Sequence, residues 1–326
     1  MKIKYSSLWA WVFLFLFPAG LRAGSSSSAG TDPVQVSIES LKKAKDPLQR
    51  RQAAGELARL QDPRAIPVLS RALKDDDPRV RVAAVDALGL LRAREAVGLV
   101  SKILEEDPSA EVRQASAISL VYINDPSAVP FLLKKLQDSS DGVRFACARA
   151  LGMLRSESAV PGLVKALEDS NPGMRRAVAS ALGQIGSSKA AKALEQALGD
   201  SSPGVRAEAA RSLGLIRYSE SSGSLKKLLK DADPAARLAS AGALAELGSD
   251  SGVPIALEGL KGSDPIIRQQ SAGILARVGG NSSVRALEEA LKTEKDPVTK
   301  QFLEQCFSQI RSRLGIQDRK SIPAKK

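Results

Sequence analysis

An all-α solenoid of about eight two-helix repeats, with a half-repeat at each end, is the fold class this 326-residue sequence predicts. Three observations predict it. An arginine returns at Arg50, Arg81, Arg113, Arg144, Arg175, Arg206, Arg237 and Arg268, in steps of 31 residues with one step of 32. Two leucine columns keep the same step: Leu57, Leu88, Leu120, Leu151, Leu182, Leu213, Leu244 and Leu275, then Leu73, Leu104, Leu136, Leu167, Leu198, Leu229, Leu260 and Leu291. Pro47, Pro78, Pro172, Pro203, Pro234, Pro265 and Pro297 hold a third register, each directly after an Asp, Asn or Ser. A period of roughly 20–50 residues marks stacked units, none of which can bury its apolar face alone. A length that could otherwise mean two domains therefore reads as one quasi-linear body.

Taken in order, residues 1–23 read as a secretory signal peptide. Lys2 and Lys4 precede the apolar run from Leu8 to Phe17, and small residues suit cleavage after Ala23. The run is shorter than the roughly 20 residues of a membrane span, so an uncleaved anchor is the lesser expectation. Residues 24–31 form a Ser/Gly-rich flexible linker. Val34, Ile38 and Leu41, spaced i, i+4, i+7, place a capping helix in residues 32–45.

Residues 46–310 carry the repeats. In the fourth, Asp141 to Arg144 opens a first helix striped by Ala148, Leu151 and Leu154. Ser156 to Ser158 turns the chain, Val160 to Leu167 is the second helix, and Asp169 to Pro172 leads into the next unit. The Asp, Asn or Ser before each proline is an N-cap, and proline at the first helical position loses no hydrogen bond. Pro67, Pro130, Pro161 and Pro254 fit the starts of second helices for the same reason.

Small residues follow the first leucine column, as Ala58, Gly89, Gly152, Gly183, Gly214, Ala245 and Ala276. Glycine within a helix costs about 1 kcal/mol relative to alanine. Four in one register predict close helix approach or the end of the helix. The third unit departs from the pattern, with Val121 in that register and one extra residue ahead of Arg113. A longer loop and a local change of curvature are expected there. Asp296 to Lys300 starts an incomplete unit whose Phe302, Leu303, Cys306, Phe307 and Ile310 pack back on the eighth. Residues 311–326 read as a basic disordered tail.

Composition excludes much chemistry. The chain has no histidine, so imidazole bases, Ser-His-Asp triads and histidine metal sites are ruled out. Both tryptophans, Trp9 and Trp11, lie in the N-terminal run, leaving a core of Leu, Ala, Val and Ile. Cys147 and Cys306 fall about five repeats apart, beyond the roughly 7 Å Cα separation a disulfide allows. Cys147, among Ala146, Ala148 and Leu151, reads as a packing residue.

The repeated motif Asp-Pro-x-Val-Arg-x-x-Ala-x-x-Ala-Leu-Gly, seen from Asp77 to Gly89, resembles HEAT repeats, and more narrowly the short HEAT-like repeats of the phycobilisome (bilin) lyase type. The resemblance covers residues 46–310 and implies a right-handed superhelix. It also implies that second helices line the concave side. Iron-dependent deoxyhypusine hydroxylases resemble this architecture too, but their His-Glu metal motifs have no counterpart in a chain without histidine. No bilin-lyase catalytic motif can be placed, and export would put the protein in the wrong compartment for phycobilisome assembly.

Two candidate sites follow. Each arginine of the column lies in the first turn of a first helix, where its planar guanidinium can bridge the preceding Asp or the neighbouring unit's acidic cap. A structural spine is expected, with a ladder for anionic ligands as the alternative. The second helices carry Arg71, Lys74, Lys102, Lys134, Lys135, Lys165, Lys192, Lys226, Lys227, Lys230 and Lys261, interrupted by Glu168, Glu195, Glu258, Glu288 and Glu289. They make a candidate basic groove for an acidic protein, a polyanion or an anionic lipid surface.

Nucleic acid is not expected, for want of aromatic interleaving or a binding motif. Acidic groups such as Asp75–Asp77, and Asp231 with Asp233, are expected as helix caps. Asn281-Ser282-Ser283 fits a glycosylation acceptor in a eukaryotic secretory pathway, or an ordinary loop. The functional expectation is a noncatalytic protein-interaction scaffold. It needs no cofactor and acts in the periplasm, envelope or outside the cell. Membrane contact is expected only through an uncleaved N-terminal segment or peripherally. The alternative is a lyase-like enzyme, or a binding protein for an anionic ligand, using a concave basic surface.

Overall fold

The computed structural model describes residues 32–316. The expected signal peptide (1–23), the linker (24–31) and residues 317–326 of the expected tail lie outside the described residues. The helix α1 (Pro33–Lys43) caps the N-terminal end, burying Val34, Ile38 and Leu41. Eight two-helix units follow, wound as a right-handed solenoid. Their long first helices are α2 (Pro47–Leu60), α4 (Pro78–Leu90), α6 (Ala110–Ile123), α8 (Asp141–Leu154), α10 (Pro172–Ile185), α12 (Pro203–Ile216), α14 (Pro234–Glu246) and α16 (Pro265–Val278). Between them lie the second helices α3 (Ile66–Ala72), α5 (Val97–Glu106), α7 (Val129–Lys134), α9 (Val160–Ala166), α11 (Ala191–Ala197), α13 (Ser222–Leu228) and α15 (Val253–Gly259), then α17 (Asn281–Thr293). The helix α18 (Pro297–Arg313) closes the array.

Local chemistry sets these boundaries. Asp46, Asp77, Asn171, Asp233, Asp264 and Asp296 each accept a hydrogen bond from an amide two or three residues on, at 2.7–3.0 Å. The following proline takes the first helical turn. Ser202 precedes Pro203 but makes no side-chain capping bond. Long helices end where one register takes a left-handed backbone: Gln61, Arg92, Asn124, Arg155, Gly186, Arg217 and Gly248, with φ between 49° and 79°. The second helices of the other units have six or seven residues, whereas α5 has 10 and α17 has 13.

This corrects the expectation for the third unit. The extra residue enters the preceding helix α5 and leaves the loop unchanged. From Asp107 to Arg113 is six positions, as from Asp75 to Arg81 and from Asp138 to Arg144. A helix absorbs one residue by continuing its own hydrogen bonding, whereas the loop is fixed at both ends by side-chain bonds. The C-terminal boundary also shifts. The last helix runs through Arg313, past the expected start of the tail at 311, because Ile310 is fully buried and Arg313 donates to the carbonyls of Ala276 and Gly279.

The first leucine column is wholly buried, at 0 % exposure in all eight units. Between neighbouring long helices there is almost no room. A Cβ on Gly152 would meet the Ala181 Cα at 2.8 Å, and one on Gly214 would meet the Ala243 Cα at 2.8 Å. Glycine is required here for backbone approach rather than for an unusual φ. The buried apolar residues form two clusters that part within α14: Ala236, Ala239, Ala243 and Leu244 belong to the first, Leu238, Ala241 and Ala245 to the second. Cys147 and Cys306 are both buried and unbridged, and burial pushes their thiols up to about 12 and about 11. Neither presents a thiolate for chemistry.

Candidate interaction surface

The arginine column sits on the loops between units. Each guanidinium reaches back to one or two carbonyls of the loop before its helix, and most reach forward to a carboxylate one unit ahead. Arg81 donates to the carbonyls of Asp75 and Asp76 at 2.8 and 3.2 Å and forks onto Asp107 at 2.8 and 2.9 Å. The same forked pair joins Arg50 to Asp75, Arg113 to Asp138, Arg175 to Asp200, Arg206 to Asp231, and Arg268 to Glu294. Each of these carboxylates also accepts the amide two residues on, which holds the loop in shape.

Two rungs differ. Arg144 pairs with Asp141 at 2.8 Å and reaches Asp169 only at 3.8 Å. Arg237 bonds the carbonyls of Asp231 and Ala232, but the place of the forward acid is taken by Gly262. The glutamate of the last rung lies 26 residues after its arginine because α17 is longer.

These pairs are largely sheltered, and one sets a pH dependence. Burial works against charge on Asp138, but hydrogen bonds from Arg113, the Ser140 amide and Lys135 hold its carboxyl down to about 2, against an ordinary value of 3.8. A depressed carboxylate stabilises the fold fully above its unfolded pKa and loses that contribution as pH falls through the folded one. Asp138 is expected to contribute about 2 kcal/mol at neutral pH, fading between pH of about 4 and about 2. Urea unfolding at pH 7, 4 and 2.5 checks this against Asp138→Asn. Equal acid sensitivity of the two proteins in that window would remove the assignment.

The curvature assigns the two faces. Successive long helices pack directly against one another, whereas successive short helices approach far less closely. In a curved stack the closely spaced layer lies inside the bend. The concave face is therefore built by the long first helices, and the short second helices lie on the outer side. This corrects the placing of the second-helix cations in a concave groove.

Those cations are also divided by position. Arg71, Lys102, Lys134, Lys165 and Lys227 share one register and are exposed on the outer face. Lys74, Lys230 and Lys261 share another register, three residues later, and Lys192 and Lys226 stand in registers of their own. Lys134 is bound to Glu105 at 2.7 Å, and Lys102 lies 3.8 Å from Glu106. Lys135 is not a surface cation. Its side chain is 17 % exposed and held 3.1 Å from Asp138, inside the Arg113 rung.

The concave face presents a different chemistry. Nine positions after the column arginine come Leu90, Tyr122, Met153 and Leu215, with exposures of 47 %, 41 %, 49 % and 65 %. Gln184 holds that place on α10, while Arg59, Glu246 and Arg277 hold it towards the ends. One helical turn earlier stand Asp86, Ile118, Arg149 and Arg211. Asp86 reaches solvent, yet desolvation pushes its carboxyl up to about 6. Isolated exposed apolar side chains are ordinary, but a column of them on one face is not. The repeat step alone carries the signal for this column in the sequence. The residues follow Gly89, Val121, Gly152 and Gly214 directly, on the helices read there as the outer layer.

Nothing among the described residues converges as a catalytic site. The surface of the described residues has shallow open recesses. One, between the last units, is lined by Glu246, Asp250, Arg277 and Arg313, with Arg277 paired to Glu246 at 2.7 Å. Another lies on the outer side by Glu195, Ser224, Lys227 and Asp231, with Ser224 bonded to Glu195 at 2.7 Å and Asp231 held by Arg206. No group of three or more His, Cys, Asp or Glu could hold a metal ion, and no helix is long and apolar enough to cross a membrane, among the described residues.

The family model for HEAT repeats matches residues 34–120, 97–179, 160–232 and 222–306. The chain belongs to the HEAT-repeat family. The chain is 39 % identical over 80 residues to deoxyhypusine hydroxylase of Arabidopsis thaliana, a stretch of 24 % of this chain and 26 % of that one. The chain thus matches about a quarter of that curated relative's length. Among solved structures, YibA of E. coli is similar with a TM-score of 0.53 and 18 % identity, over 82 % of this chain and 98 % of the other. A chain of the assembly in which Kap95p binds RanGDP has a TM-score of 0.60 and 13 % identity, over 85 % of this chain and 47 % of that one. These likenesses show the HEAT solenoid fold.

Proposed function

We propose that this HEAT-repeat chain is a noncatalytic scaffold that holds a protein partner on its concave face. The observation that carries the reading is the exposed column of Leu90, Tyr122, Met153 and Leu215 on the inner layer. Burying such a column against a partner removes apolar surface from water at about 25 cal/mol per Å², while the rigid stack leaves little backbone ordering to oppose it. The likeness to phycobilisome-lyase-type repeats enters as repeat architecture, and no activity is taken from it. From the basic start and apolar run of residues 1–23 we further propose that the scaffold works in the envelope or outside the cell, with Gly24 as the mature N-terminus. Sequencing the purified protein's N-terminus tests the latter.

The test of the binding face is site-specific photo-crosslinking in the native host. A benzophenone side chain at Leu90 or Met153 is expected to trap a partner, and one at Lys165 or Lys227 on the outer face is not. The charge-reversed variant Lys134→Glu, Lys135→Glu, Lys226→Glu, Lys227→Glu is expected to retain that partner, because none of the four lies on the concave face. Loss of the partner in this variant, with crosslinks on the outer face only, would move the site to the second helices.

A further inference from the structure

The concave column is one side chain wide. Leu90, Tyr122, Met153 and Leu215 share a place on α4, α6, α8 and α12, while the parallel column a turn earlier offers a single large apolar residue, Ile118. An amphipathic helix presents an apolar stripe at least about 100° wide, roughly two columns, so it would set one of its rows on charge. A polyproline-like extended chain, with three residues per turn, presents one row made of every third side chain. Packed helices lie about 8–10 Å apart, and three residues of polyproline-like chain cover about 9 Å. One repeat therefore matches three residues of an extended partner. From Leu90 to Leu215 is four steps, or about 13 residues of such a chain.

Charge marks the middle of this track. Arg149 lies beside Met153 on α8, is exposed, and makes no ion pair or hydrogen bond among the described residues; Arg176 on the next long helix is likewise unpaired. Arg211, further on, is already held by Glu208 at 2.9 Å. An unpaired guanidinium beside an apolar column favours a carboxylate that arrives with apolar neighbours, since the charge-assisted bond forms where water is being excluded.

We propose that the column seats a polypeptide segment in the polyproline-like extended conformation, with an apolar side chain at every third residue and an acidic residue opposite Arg149. This rests on the concave face being the binding face, and it specifies the partner's chemistry. Gln184 interrupts the column, so the apolar requirement lapses at the fourth of the five places.

The test uses the purified protein and fluorescein-labelled 13-residue peptides read by anisotropy. The probe is four Leu-Ser-Glu triplets followed by Leu. Its controls are a shuffled peptide of the same composition, the same design with Lys for Glu, and a helix-forming peptide with Leu at heptad spacing. The probe is expected to bind at least about tenfold tighter than the shuffled and lysine peptides. Met153→Ser should weaken it about tenfold, and Arg149→Glu should turn the preference towards the lysine peptide. Both side chains are exposed, and circular dichroism verifies that the variants fold. Equal binding of probe and shuffled peptide, tighter binding of the helical peptide, or an unchanged charge preference in Arg149→Glu overturns the proposal. If a benzophenone at Met153 traps a partner while the probe behaves as its shuffled control, the extended-segment proposal falls and concave docking stands. If neither occurs, both fall.

Discussion

Gly214→Val is expected to destabilise the protein by about 3 kcal/mol, although valine is a better helix former than glycine. An ideal Cβ at Gly214 already lies 2.8 Å from the Ala243 Cα and 3.1 Å from its Cβ. Those atoms belong to a neighbouring helix, not to the tip of a flexible side chain, so α12 and α14 must part to admit two further methyl groups. Interiors are packed too densely to absorb such a shift locally. The informative control is Gly55→Ala. Gly55 lies within α2 with nothing within 4 Å of an added Cβ, so the same kind of residue should there yield a gain of about 0.5–1 kcal/mol. Urea unfolding of the three proteins decides the matter. A Gly214→Val protein as stable as the parent would show that the helices are not in contact at this register.

The second large effect belongs to the ladder. Asp107→Ala should cost about 3 kcal/mol, near the low end for breaking a sheltered pair. The side chains of Arg81 and Asp107 are 11 % and 3 % exposed, and the substitution strands a guanidinium and the Ser109 amide together. Arg81 keeps its two carbonyl partners, which limits the loss. The exposed pair of Lys42 and Glu39 provides the contrast. Lys42→Ala should change stability by less than about 0.5 kcal/mol. Similar unfolding midpoints for Asp107→Ala and Lys42→Ala would mean that the forked pairs do not join the units.

The repeat architecture was legible because every signal was periodic and redundant. The capping residue, the proline, the arginine and two leucine columns recur together, so a lapse such as Ser202, which makes no side-chain capping bond, does not obscure the unit. The arginine's forward partner was half legible. An acid near the next cap was expected, but not that it lies 25 or 26 residues on and also accepts the amide that follows it. Curvature was not legible. Periodicity states that two layers exist, and their spacing decides which layer is inside. That spacing depends on how closely Gly152 and Gly214 let neighbouring backbones approach, which no count along the chain contains.

The second-helix lysines looked like a groove because charge is easily seen in a sequence. Lys135 shows the hazard: its register falls on a half-buried side, where alanine stands in several units, and its ammonium serves a structural carboxylate. The exposed apolar column was harder to see because leucine and methionine beside a buried leucine look like more core. For the same reason the extra residue in the third unit suggested a loop. A sequence shows where one residue is added but not which element is free to lengthen.

Gly262 stands where other units supply a carboxylate, close to the point where the apolar core divides within α14. Joints in series share a common load, and compliance adds along the line. A bending force on the ends is therefore taken up mainly at the softest joint. The six forked rungs are the stiffer joints, so bending of the segment from α16 to α18 against the rest is expected at this place. For the scaffold proposed above, the consequence is a concave track held in register by its forked joints, with any bending concentrated towards the C-terminal end.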